Sequence, residues 1–478
     1  MEHNEIEGQS TLGASAESIP DGANQSPITP ISRTETTKGL TWLLWARVLW
    51  GCYGPVATIS GAIFSGFALW MGLGAPQIAL LISLSSFVGL IQPFLLLIEH
   101  RIHRKRAFII GAGILDMTLL MTVIGIPPLF PPGDLRVVAV ILLVLSGAMI
   151  GNMVSPLWQV WISQILPAEI RGRTISLWIT ITTLTSAVFG YAAGRFLDTF
   201  PAEGRYPGFF IVFLLGWLGG IGGYLLLLFL PFSWKPTGRA GGFLKRTIAP
   251  FRHRNFRNYL LVSFFWDLGA GLSQPFFSIF MLNYLKMSYS TIALFNNLFM
   301  VLLIIGYQFW GRVVDRHGSV PILRLMMVFR FLLPLLWACV SPGIVSVMLP
   351  FIMIVQGITF SGLTSAHSPF LYKLVSSEEG GSDDPADRPG VRRGDEVTAF
   401  FVVWSASMQL AFAVASAIAG GIVKAMEGRM VTLGGIEIDG LRFVFLLSAA
   451  VVIVPNLLLR KVEEPGASTV REMFRWKR

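Results

Sequence analysis

Residues 48–98 read VLWGCYGPVATISGAIFSGFALWMGLGAPQIALLISLSSFVGLIQPFLLLI, 51 positions without an Asp, Glu, Lys or Arg. A helix crosses the hydrocarbon core of a bilayer with about 20 residues. The run therefore holds two crossings, with a turn near Met71-Gly-Leu-Gly-Ala-Pro76, where Gly and Pro punctuate. Backbone in lipid must satisfy its own hydrogen bonds, so crossings are helices or a closed barrel. The apolar stretch is continuous and does not alternate with period two, which favours helices.

The rest of the chain follows the same rule. Of 478 residues 53% are hydrophobic and 13% charged, with a mean hydropathy of +0.65. Soluble domains carry roughly 25% charged residues, so this chain lacks the charge to cover a soluble surface. The apolar runs predict twelve spans, at about 41–70, 76–98, 107–128, 136–160, 174–196, 208–232, 258–284, 290–311, 319–341, 344–372, 397–423 and 442–460. The fold class expected is an all-α membrane protein, twelve transmembrane helices in two pseudo-symmetric six-helix bundles. Residues 1–39 are polar and read as a disordered tail. Bundles at 40–232 and 258–461 flank a basic, Gly- and Pro-rich linker at 233–257, and 462–478 form a basic tail.

Placing both termini in the cytoplasm puts 28 of the 37 Lys and Arg in cytoplasmic segments, 7 in external ones and 2, Arg47 and Arg330, within spans. That is the positive-inside bias, and it accounts for the net charge of +10 through topology and lipid contact. The basic residues are scattered over many loops, which argues against nucleic acid as a partner. Cys52 and Cys339 fall within spans, with no metal or disulfide spacing, and read as core packing.

The chain repeats itself. Ile78-Ala-Leu-Leu81 opens the second span and Ile292-Ala-Leu-Phe295 the eighth, an offset of 214 at which Asp116 also meets Arg330. At an offset of 215, Glu99-His-Arg-Ile-His-Arg-Lys-Arg106 lies over Val314-Asp-Arg-His-Gly-Ser-Val-Pro321. Arg171-Gly172 pairs with Arg393-Gly394 at 222, the extra residues being an acidic insertion, 376–389. Internal repeats of this kind mark transporter folds.

Gly311-x-x-x-Asp315-Arg316-x-Gly318 follows the eighth span, and its first-half copy keeps Arg101 but puts His103 where the second copy has Gly318. With Pro167-Ala-Glu-Ile-Arg171-Gly-Arg173, Phe251-Arg-His-Arg-Asn-Phe256 and the ending Phe443-Val-Phe-Leu-Leu-Ser448 to Arg460-Lys-Val-Glu-Glu-Pro465, residues 40–465 resemble the major facilitator superfamily. The resemblance implies a transporter whose spans one, four, seven and ten line a central cavity. It also implies a cytoplasmic gating latch of Gly311, Asp315, Arg316 and Gly318, with Arg101, Arg104 and Arg171 on the other half. Gly311 is expected to let two helices approach, and Asp315 to face a cation or the N-terminus of the eleventh helix.

Charges inside spans are costly and are functional candidates by default. Arg47 is near the start of span one, where it can snorkel. Asp116 and Arg330, in spans three and nine, can pair within their own bundles. Asp267 is about ten residues into span seven, where a carboxyl can carry a proton or meet a cationic group. The cavity candidates are Asn152, Trp158 and Gln159 in span four, Asp267 and Gln274 on one face of span seven, and Gln356, Thr364 and His367 in span ten. Asp267, Asp116 and His367 are the coupling candidates.

There is no phosphate loop, no H-E-x-x-H and no G-x-S-x-G. No cofactor and no enzyme activity are expected. The sequence thus reads as a monomeric secondary transporter of a small solute in the plasma membrane, with a proton as the default coupling ion. A non-transporting assembly or sensing protein on the same fold is the alternative.

Overall fold

The computed structural model describes residues 33–92, 101–165, 168–232, 248–376, 392–433 and 436–473. Each of the twelve predicted stretches holds helix where described, the first interrupted at 58–61. In order they are Arg33–Ala57 with Ala62–Trp70, Ala75–Val88, Lys105–Thr122, Asp134–Ile165, Ala168–Asp198, Tyr206–Leu226, Arg254–Ser273, Tyr289–His317, Ser319–Cys339, Val345–Ser376, Arg392–Ala425 and Gly440–Leu458. Nine helices among the described residues are long and apolar enough to cross a membrane, and the first pair, bent by 41°, makes a tenth. The other two fall short for visible reasons. Span two is described only as far as Gln92. Span seven breaks at Gln274-Pro275, where Pro removes a backbone donor and a 3₁₀ turn, a short α turn and a π turn follow.

Several boundaries differ from the sequence reading. The first helix begins at Arg33, inside the expected tail; residues 1–32 lie outside the described residues. Arg254 already starts span seven, so the linker is shorter, and its residues 233–247 also lie outside. The 376–389 insertion lies outside too, apart from Ser376. A two-stranded hairpin, Val431–Leu433 against Ile436–Ile438, joins spans eleven and twelve in an otherwise helical chain. Cys339 ends its helix exposed and does not pack in a core; Cys52 is half-buried.

Helices pack where side chains are small. A side chain at Gly219 would strike the Leu49 carbonyl at 2.8 Å and one at Gly223 the Ala46 carbonyl at 3.0 Å, so spans one and six meet backbone to backbone. Between the halves, hydrogen bonds run from the middle of the spans to the end remote from the termini. Ser83 Oγ donates to the Ala413 carbonyl (2.7 Å), Asn297 Nδ2 to Ala187 (3.1 Å) and Ser278 Oγ to Ser60 (2.6 Å). At the far end Asp198 accepts from the backbone N–H groups of Tyr289 and Ser290, both at 2.9 Å. A carboxylate thus caps the N-terminus of span eight, where the helix dipole favours negative charge.

The Gly311–Gly318 segment does not have the expected form. Span eight runs to His317, so Asp315 and Arg316 belong to its last turn. A side chain at Gly311 would meet nothing within 4 Å, so no helix approaches closely there. Gly318 is the tight position, with φ +90° and ψ 171°. It faces Ala467 and Glu464 of the C-terminal segment. Glu464 accepts from Ser319 N–H and Val320 N–H (2.7 Å each) and pairs with Lys373 at 2.7 Å. Asn255 Nδ2 donates to the Glu463 carbonyl (2.7 Å), and Ser468 N–H to that of His317 (3.0 Å). The expected basic tail is therefore, over 463–468, a strap across the ends of spans seven to ten.

Backbone with φ and ψ like those of Gly318 costs any other residue about 1–3 kcal/mol. Gly318→Ala is expected to lower thermal stability by that order, read by size-exclusion after heating. Gly311→Ala, in an open helical position, is expected to be neutral or to stabilise by about 0.5–1 kcal/mol. Equal losses from the two substitutions would contradict this assignment.

Candidate functional site

In the C-terminal half the charged residues converge. Asp267 on span seven and Arg330 on span nine attract one another. Arg330 is 8% exposed, and its guanidinium lies over the Trp266 ring at 5.0 Å and the Phe360 ring at 5.9 Å. Asp267 Oδ2 and Arg330 Nη1 are buried with no hydrogen-bond partner. Beside them is a cavity of about 20 Å³ lined by Trp266, Ser273, Arg330, Gln356 and Ser448. That volume holds about one water. The rest of its lining is apolar, and the pocket, inside one bundle, is too small for a solute. Arg330 is thus in the core of its own bundle.

One layer away, His367 is buried on span ten, with Nδ1 hydrogen-bonded to the Tyr259 hydroxyl. Its ring centroid is 5.7 Å from that of Tyr259 and 5.9 Å from that of Trp404. Trp404 Nε1 donates to Ser263 Oγ at 3.0 Å. This places His367, Tyr259, Ser263 and Trp404 in a polar line across spans seven, ten and eleven. Tyr259 and Trp404 were missed from the sequence, because an aromatic in an oily run gives no sign of its hydroxyl or indole partner.

In the N-terminal half, Asn152 Oδ1 accepts from Gln92 Nε2 (2.6 Å), and Asn152 Nδ2 donates to the Ala148 carbonyl (2.7 Å). These bonds tie spans two and four and use much of the capacity Asn152 would offer a solute. Asp116 lies against Gly147 and Gly151 of span four; a side chain at Gly151 would meet its Oδ2 at 2.7 Å. Tyr53 and Tyr224 are within its electrostatic reach.

Arg47 is half-buried. Its guanidinium lies over Trp50 at 4.6 Å, Trp158 at 5.1 Å and Trp178 at 4.5 Å, rings from spans one, four and five. Trp158 is buried within this cluster.

Other predicted residues stand apart. Gln159 and Thr364 are exposed, and Thr364 Oγ1 donates to the Phe360 carbonyl at 2.8 Å. Gln274 begins the 3₁₀ turn, so the face it was expected to share with Asp267 is interrupted. Arg101, Arg104, Asp315 and Arg316 are exposed; Asp315 and Arg316 make no hydrogen bond or ion pair among the described residues. The Arg171 side chain lies outside the described residues.

Twelve helical segments in two halves, with intramembrane charges and one end bonded shut, define a multi-pass membrane protein. Its fold is that of the major facilitators: a Major Facilitator Superfamily model matches residues 259–477. The chain superposes on the nucleoside transporter NupG with a TM-score of 0.62 at 14% identity, over 92% of this chain and 99% of that one. It superposes on a D-xylose-proton symporter with 0.61 at 14% identity, over 91% and 100%. A bacterial homologue of the human lysosomal transporter Spinster, inward-facing and unoccupied, gives 0.62 at 15% identity, over 91% and 100%. No curated protein matches the chain.

Residues in one buried network couple by roughly 0.5–3 kcal/mol. Asp267→Asn and Arg330→Gln are each expected to destabilise the protein, and the double variant by less than their sum. Additive losses of thermal stability would show that the two groups do not interact.

Proposed function

We propose that the chain is a secondary active transporter that carries a small solute by alternating access, with a proton as the coupling ion. The observation that carries this reading is the polar closure between the halves at one end, centred on Asp198 and the backbone of Tyr289 and Ser290. Two carboxylate–amide contacts hold strongly enough to populate a closed state and can be broken. The exposed Asp315 and Arg316 fit a latch released when their own, cytoplasmic end opens, with Arg101, Arg104 and Arg171 as its partners on the other half. The similar structures include a nucleoside transporter and a sugar–proton symporter, which supports a small polar solute and proton coupling.

Asp267 is the leading coupling residue, with Asp116 and His367 beside it. A carboxyl with one buried unsatisfied oxygen near a guanidinium can change its proton occupancy only if the pair rearranges, which links proton and conformation. The basic loops support cytoplasmic termini and a plasma-membrane location. The protein acts as a monomer, and it is a transporter rather than an enzyme.

Uptake by proteoliposomes under an imposed pH gradient tests the reading against a panel of sugars, nucleosides, amino acids and organic ions. Asp267→Asn is expected to cut gradient-driven uptake at least about tenfold, a barrier change of ~1.4 kcal/mol, with assembly intact. Unchanged uptake removes Asp267 from the mechanism, and no flux with any solute favours the assembly or sensing role.

Asp198→Ala removes two charge-assisted bonds, each worth roughly 1.5–3 kcal/mol. Spin labels at Glu203 and Glu427 should then report longer distances across the far end. An unchanged distance distribution would deny Asp198 a role in closure.

A further inference from the structure

Arg47 is a cation without an anion. Its guanidinium is enclosed by the Trp50, Trp158 and Trp178 rings, yet no hydrogen bond or ion pair reaches its side chain among the described residues. Indole faces attract a cation but offer no acceptor lone pair in the ring plane. Five N–H donors remain to be satisfied. Arg47 Nε is buried and unpartnered, and so is Trp50 Nε1 beside it. Two buried donors on one helix, three residues apart, thus lack an acceptor. Tyr224 is within electrostatic reach of both Arg47 and the carboxylate of Asp116. In the C-terminal half the intramembrane cation Arg330 has Asp267.

We infer that Arg47 and the Trp50 indole N–H form the anchor for the negatively charged group of the transported solute, a small organic monocarboxylate. This rests on the transporter reading above. The planar guanidinium fork matches the two oxygens of a carboxylate. One uncompensated positive charge matches one negative charge, which selects a monoanion over a phosphate monoester. The three rings hold the guanidinium plane in place before the solute arrives, so little ordering is left to be done on binding. They also come from spans one, four and five, so an occupied anchor draws three helices of the N-terminal half together.

The test uses the full chain in nanodiscs and reads tryptophan fluorescence, since three of the reporting indoles touch Arg47. The probes are acetate, lactate, benzoate and gluconate, each against its uncharged primary amide. Saturable quenching by at least one carboxylate, and at least about tenfold weaker binding of its amide, is expected. Arg47→Gln should abolish that difference, and Arg47→Lys should retain part of it. Trp50→Phe, which keeps the ring and removes the N–H, should weaken carboxylate binding without disturbing assembly, and guards against a folding defect in Arg47→Gln. Equal binding of acid and amide, or carboxylate binding that survives Arg47→Gln, overturns the inference. Uptake of a neutral solute unaffected by Arg47→Gln overturns the anion anchor and leaves the transporter reading standing. Carboxylate binding that requires Arg47, with no flux of any solute, does the reverse.

Discussion

Every polar group that enters the hydrocarbon must be answered inside the protein, and most of this structure follows from that. Backbone groups are answered by the helices themselves. Side-chain hydroxyls are answered by the preceding turn: Thr118 donates to the Ile114 carbonyl, Ser146 to Leu142 and Thr180 to Ser176. Some hydroxyls that cross to another helix find the carbonyl of a glycine. Ser186 donates to Gly51, Ser448 to Gly269 and Ser416 to Gly271. The glycines that let helices touch thus also uncover the acceptors that hold them.

Charges are the hardest case, costing about 2.5–3.5 kcal/mol each at mid-membrane on insertion scales. The two halves answer them differently. At the repeat offset of 214, Asp116 corresponds to Arg330 and Tyr53 to Asp267. Spans seven and nine therefore carry an acid and a base, while spans one and three carry a phenol and an acid. The C-terminal pair is internally compensated. In the N-terminal half Arg47 is six residues before Tyr53, and among the described residues its guanidinium meets only aromatic faces. A duplicated frame has kept its positions and redistributed their charges, which frees each half for a different task.

The spans were legible because length and hydropathy in lipid leave few alternatives, and the repeat was legible because Gly and charged residues recur at a fixed offset. The site was less so. Asp267, Arg330 and His367 could be picked out, since a charge in an oily run is visible in one dimension. Their partners could not: Trp266, Tyr259 and Trp404 look like any membrane aromatic until the helices are packed. The break in span seven was present in Gln274-Pro275, yet a Pro within a span can equally be tolerated, so the shared face of Asp267 and Gln274 was overestimated. Glu464 was read as part of a tail because nothing local signals that a carboxylate will travel to the N-terminus of another helix.

That same pairing, a carboxylate with backbone N–H groups at a helix start, occurs at both ends of the C-terminal half and serves opposite purposes. Glu464 binds the start of span nine from within its own half and is reinforced by Lys373, Asn255 and the left-handed turn at Gly318. Asp198 binds the start of span eight from the other half, where Arg205 also lies over the Tyr289 ring at 5.2 Å. The chemistry is identical; what differs is topology: whether the two partners belong to one bundle or to two.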